Sequence, residues 1–86
     1  MTYSIRFTPA ARPSFTTLPM PVALAALNLI RGDLAQSPHR VGKALLPPLQ
    51  GQHSARRGEY RIRYRINETE QVVTILEVKH RRDAYR

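Results

Sequence analysis

Cysteine is missing from this chain, so there is no disulfide framework and no thiolate zinc site, and the fold has to be held by packing alone. Its three histidines, His39, His53 and His80, lack the spacing of a metal site. No apolar run approaches the length that spans a bilayer. Residues 1–7 alternate in character instead of setting a charged start before a continuous apolar signal segment, so a cytoplasmic location is expected, with no membrane partner. A Gly-rich phosphate loop, a paired-carboxylate motif and a Ser nucleophile elbow are also lacking. Any enzyme built from this chain must work with Arg, Lys, Tyr and at most one His, without metal or small-molecule cofactor.

Negative charge is scarce as well. Six Asp and Glu stand against fourteen Lys and Arg, for a formal charge of +8. Such a field attracts a polyanion or an acidic protein. Twelve of the fourteen cations are Arg. An Arg fork grips phosphate in two places and stacks on bases, whereas Lys is a hydrated point charge, so the bias points to nucleic acid or an acidic partner rather than to a merely solvated surface. With 86 residues there is material for one domain with one core, residues 1–86.

Tyr3, Ile5 and Phe7 alternate with Ser4 and Arg6, which predicts a strand with one buried face. Thr8 before Pro9 is a helix start, and a short helix is expected over residues 9–17. The main helix is expected over residues 21–36, with Ala23, Leu27, Ile30 and Leu34 on one stripe. Val22 and Leu29 lie off that stripe and need a second surface. Pro38 is read as its stop, and residues 39–52, with Pro47, Pro48 and Gly51, as an extended connection across the sheet.

Chemistry concentrates after Ala55. Tyr60, Ile62, Tyr64 and Ile66 alternate with Arg61, Arg63 and Arg65, so a strand here has an apolar face and a cationic one. A turn over residues 67–70 leads to a second strand over residues 72–78, with Ile62 opposite Ile75 or Leu76 and Arg61 near the second strand's C-terminal end. The whole reads as an α+β domain: a mostly antiparallel sheet with two N-terminal helices on one face.

Three groups of residues are candidates for function. Arg56, Arg57, Arg61, Arg63 and Arg65 repel one another within ten residues, more than the wet side of a sheet requires, and call for an anionic partner. Lys79, His80, Arg81, Arg82, Tyr85 and Arg86 form a basic ending in which Arg81 and Tyr85 share a face if the chain makes a helical turn. Composition alone reads that ending as a frayed terminus. Of the histidines, His39 and His53 read as loop residues and only His80 falls among functional candidates.

Residues 56–66 (RRGEYRIRYRI) and 73–86 (VTILEVKHRRDAYR) resemble the closing half of the RelE/ParE toxins, and residues 32–34 and 40–45 resemble the RelE branch, especially its actinobacterial members. The resemblance implies a microbial RNase-like fold, a cognate acidic antitoxin, and cleavage of mRNA in the decoding site on the ribosome's small subunit. It implies that Arg61 and Arg81 hold the reacting phosphate. Tyr85 then stacks on a base or takes part in proton transfer, and Arg56 matches a basic position on the preceding strand. The remaining cations, Arg57, Arg63, Arg65, Lys79, His80, Arg82 and Arg86, are expected to contact RNA or ribosome. Relatives often carry aromatic and lysine residues where this chain has His53, Ser54 and Ala55. A ParE-like inhibitor of DNA gyrase, lacking nuclease chemistry, is the alternative on the same fold, and a degenerate antitoxin-binding member is a third.

Overall fold

The computed structural model describes residues 2–80; Arg81, Arg82, Tyr85 and Arg86 lie outside the described residues. The chain runs β1 (Ser4–Phe7), α1 (Ala11–Thr16), α2 (Met20–Leu29), a π-helical turn (Ile30–Leu34), α3 (Pro38–Val41), β2 (Lys43–Ala44), β3 (Gln52–Arg57), β4 (Tyr60–Asn67) and β5 (Val72–His80). The strands form one sheet in the order β1-β5-β4-β3-β2, parallel only between β1 and β5. The α+β architecture expected from the sequence is the one observed. No helix among the described residues is long and apolar enough to cross a membrane.

The alternation in β4 decides which side of the sheet is the core. Tyr60, Ile62 and Tyr64 are buried, and with Val73, Ile75 and Val78 of β5 they pack against Leu18, Val22, Ala26, Leu29, Ile30 and Leu34 from the helical layer. Each fully buried Ile, Leu or Val contributes about 1.5–3 kcal/mol by leaving water. Val22 and Leu29, off the main stripe, are buried as that position required. The Thr8 hydroxyl accepts the Ala11 N–H at 3.1 Å, but α1 begins at Ala11 with Ala10 at its N-cap and no side-chain cap, instead of starting at Pro9 behind Thr8.

Three sequence expectations are corrected. Pro38 does not stop a helix but starts α3, occupying an early helical position where a missing N–H costs nothing. The connection over residues 39–52 is not simply extended, because it contains α3 and β2. Ile62 faces Val78, not Ile75 or Leu76. Near the turn the pairing is offset by one residue from the Leu76 register and by two from the Ile75 register, with Asn67 opposite Val72 and Gln71 in the left-handed region. A β-bulge then shifts the register again: Tyr64 pairs with Ile75 but Arg63 with Glu77, leaving Leu76 as the extra residue.

Gly42 sits where α3 gives way to β2. A Cβ there would lie 2.3 Å from the Tyr64 hydroxyl and 2.8 Å from the Ser54 carbonyl oxygen. That hydroxyl, fully buried, donates to the Pro38 carbonyl at 2.6 Å, tying the core strand β4 to the start of α3.

Candidate nucleic-acid interface

Register places the cations. Residues directly opposite one another in an antiparallel ladder point to the same face. Arg61 lies between Arg56 on β3 and Lys79 on β5, so three cations stand in one row across three strands, on the face turned away from the helical core. In the next row Arg63 lies between Ser54 and Glu77, and in a third Arg65 faces Gln52 and Thr74. Like charges directly opposite destabilise a sheet, and the Glu77 carboxylate beside Lys79 offsets part of that repulsion.

A cleft of about 200 Å³ opens on this face between the sheet and the loop after β2, lined by Leu45, Leu49, Ser54, Arg61, Arg63, Glu77 and Lys79. Sites that enclose a whole ligand run to roughly 300–1,000 Å³. This one suits a charged group at the surface of a larger partner. Within it a Glu77 carboxylate oxygen lies 3.4 Å from Arg63 Nη2 and the other lies 3.8 Å from Lys79 Nζ.

Two of the expected contacts fall elsewhere. Arg57 pairs in register with Tyr60 on the helix side, and its guanidinium lies 3.7 Å from the Asp33 carboxylate. His80 faces Tyr60 on that same side. Arg56, Arg61, Arg63, Arg65 and Lys79 are brought together; Arg57 and His80 are not. Arg81, Arg82, Tyr85 and Arg86 lie outside the described residues. The sequence reading missed Glu77, Ser54 and the Leu45 and Leu49 wall.

The other histidines belong to the helix side as well. His53 is not a loop residue: it stands in β3, half-buried, its ring stacked on Tyr64 at 5.5 Å with His39 edge-on at 5.7 Å. Burial, and secondarily the charge of His39, hold its pKa below the ordinary value. Glu68, which contacts His39 Nε2 and accepts the Tyr3 hydroxyl at 2.8 Å, is lowered by those two hydrogen bonds. The signs agree. The unfolded chain protonates both groups more readily than the folded one, so stability falls as the pH drops below about 6.5 through His53, and again in the carboxylate range through Glu68. Urea midpoints should therefore decline from pH 7.5 to 5.5. His53→Phe, which keeps a ring on Tyr64 but cannot titrate, should flatten that slope. An equal slope in the variant would show that His53 is not its source.

A family model described as the ParE toxin of the type II toxin-antitoxin system, parDE, matches residues 5–85. The chain is 46% identical to Toxin RelG of Mycobacterium tuberculosis, with 100% of this chain and 99% of that protein covered. It is 38% identical to Toxin RelE of the same organism, with 98% and 87% covered. A chain of the crystal structure of the toxin-antitoxin complex RelBE2 from M. tuberculosis aligns with a TM-score of 0.92 at 44% identity, over 94% of this chain and 100% of that one. The isolated E. coli RelE toxin, 18% identical over 91% of this chain and 83% of that one, shares the fold with a TM-score of 0.74. With a family model spanning nearly its whole length and full-length relatives at these identities, the chain belongs to the RelE/ParE superfamily of type II toxin-antitoxin toxins.

Proposed function

We propose that this toxin is a ribosome-dependent endoribonuclease that cuts mRNA in the ribosomal decoding site and is silenced by a cognate acidic antitoxin. The observation that carries the reading is the row Arg56, Arg61 and Lys79 beside a small cleft on the sheet face turned away from the helices. Cleavage by a ribose 2′-hydroxyl attacking its own 3′-phosphate needs in-line geometry, a proton acceptor and stabilisation of charge on the five-coordinate phosphorus. Arg61 supplies a planar two-donor grip on the phosphate oxygens. Arg56, Arg63 and Arg65 hold flanking phosphates on the same face. Arg81 and Tyr85, with Arg82 and Arg86, are assigned by the family resemblance: Arg81 to the phosphate, Tyr85 to stacking on the base or proton transfer, the others to RNA. A cleft of about 200 Å³ is too small to enclose and bend an RNA strand into an in-line conformation. The ribosome provides that geometry.

Support for the antitoxin comes from the charge of +8 and from relatives solved as toxin-antitoxin complexes. One finding favours the gyrase-inhibitor reading: the matching family model is described by ParE. Inducing the chain without antitoxin and mapping new mRNA 5′ ends separates the two. Cuts locked to the reading frame are expected. Intact mRNA with DNA damage would replace the nuclease reading with gyrase inhibition.

A further inference from the structure

We infer that Glu77 is the proton acceptor for the attacking 2′-hydroxyl and Lys79 the proton donor to the leaving oxygen, an inference that rests on the nuclease reading above. The bulge at Leu76 is what puts Glu77 there. Counting by strict alternation from Val73, which is buried, Thr74 points to the cationic face, Ile75 to the core and Leu76 to the cationic face, so Glu77 would enter the core and Val78 leave it. The extra residue reverses this. Glu77 joins the row of Arg63 and Ser54 on the cationic side, while Val78, 2% exposed, returns to the core opposite Ile62.

The bulge is supported from outside the sheet. Beyond Ile75 the strand has left β1, and there the Val78 N–H donates to the Ser14 hydroxyl at 3.2 Å while the Thr8 hydroxyl reaches the Leu76 carbonyl at 3.5 Å. Side chains of Thr8, just before α1, and Ser14, within it, thus satisfy backbone groups of β5 beyond the end of β1. Bulges recur where a strand must re-aim a side chain beside a reactive site.

Glu77 is the one carboxylate among the described residues that lines the cleft, and cations surround it. Arg61 and Arg63 face it from β4, Lys79 from its own strand, and Arg56 and Arg6 stand further along the same face on β3 and β1. Its contacts, 3.4 Å to Arg63 and 3.8 Å to Lys79, are longer than charge-assisted hydrogen bonds of about 2.7–2.9 Å, so acceptor capacity remains for a hydroxyl. Glu77 and Lys79 are two residues apart on one strand with their charged ends 3.8 Å apart, so an incoming phosphate replaces that contact and leaves one group on each side of the phosphorus. In the step, the 2′-hydroxyl proton passes to Glu77 as the 2′-oxygen forms its bond to phosphorus. The bond from phosphorus to the 5′-oxygen breaks with its electron pair, and that oxygen takes a proton from Lys79. Transfer of the proton from Glu77 to Lys79 restores both groups, and the products are a 2′,3′-cyclic phosphate and a 5′-hydroxyl.

The test is single-turnover cleavage on mRNA-programmed ribosomes across pH, for the unaltered toxin, Glu77→Gln and Glu77→Asp, with ribosome binding and thermal midpoint measured for each. Glu77→Gln should cleave about a hundredfold more slowly, bind ribosomes as before and lose the decline in rate toward acid pH. Glu77→Asp should recover part of the rate and all of that decline. If Glu77→Gln cleaves at the rate of the unaltered toxin, or slows while keeping the acid decline, Glu77 is not the acceptor and the nuclease reading stands without it. If the unaltered toxin fails to cleave on the ribosome, the nuclease reading falls and this inference falls with it.

Discussion

Arg61→Lys is expected to slow single-turnover cleavage by about one to three orders of magnitude while ribosome binding barely changes. Arg61 is exposed, points away from the core and lies between Arg56 and Lys79, so the substitution keeps the charge of the row and removes nothing from the packing. Surface changes of this kind usually move stability by no more than about 0.5 kcal/mol. What is lost is the planar pair of donors. A Lys in that place attracts RNA as well but cannot hold two oxygens of the phosphorus as their charge grows. Single-turnover rates measured beside an equilibrium binding assay separate attraction from transition-state grip. Equal rates would leave Arg61 as part of the docking surface and move the phosphate contact elsewhere.

The largest effect on stability is expected at Gly42. In Gly42→Ala the new methyl meets the Tyr64 hydroxyl and the Ser54 carbonyl, the latter a backbone atom of β3 that cannot step aside without moving the sheet. If Tyr64 yields, its hydroxyl loses the Pro38 carbonyl inside the core. Overpacking costs about 1–3 kcal/mol and an orphaned buried hydroxyl about 1–3 kcal/mol, so a loss of about 2–4 kcal/mol is expected. For a domain of this size that lowers the thermal midpoint by about 8–30 °C. Gly32→Ala is the control: its Cβ would meet nothing within 4 Å. In a helical stretch that change is expected to be neutral or stabilising by up to about 1 kcal/mol. Equal effects at both positions would mean that the close approach at Gly42 is not what holds α3 to the sheet.

What could be read from the sequence was whatever local pattern decides. Tyr60 to Ile66 alternate cleanly, and the structure keeps that alternation, with apolar residues inward and Arg61, Arg63 and Arg65 outward. Strand β3 escaped the pattern reading because residues 52–57 (QHSARR) offer only Ala55 to the core. Its strand character comes from pairing with β4 through a two-residue turn, where Gly58 adopts a φ of 58°. Failure to see β3 also hid the place of His53 on Tyr64 and of Arg57 on the helix side. Glu77 was overlooked for a different reason. In a run of β-branched residues it reads as one polar residue among apolar ones, and alternation alone points it into the core. Only the bulge at Leu76, produced by tertiary pairing and supported by Ser14 and Thr8, turns it onto the cationic face. Both Leu45 and Leu49, unremarkable in a proline-rich connection, acquire meaning only when that loop folds over the sheet.

The most direct test of the nuclease reading uses the purified toxin, intact ribosomes programmed with an mRNA whose codon in the decoding site is known, and identification of the new RNA ends. Cleavage within that codon is expected, with a 2′,3′-cyclic phosphate on the upstream fragment and a 5′-hydroxyl on the downstream one, and none on the same mRNA free in solution. Uncut mRNA on the ribosome, or ends carrying a 5′-phosphate, would contradict it.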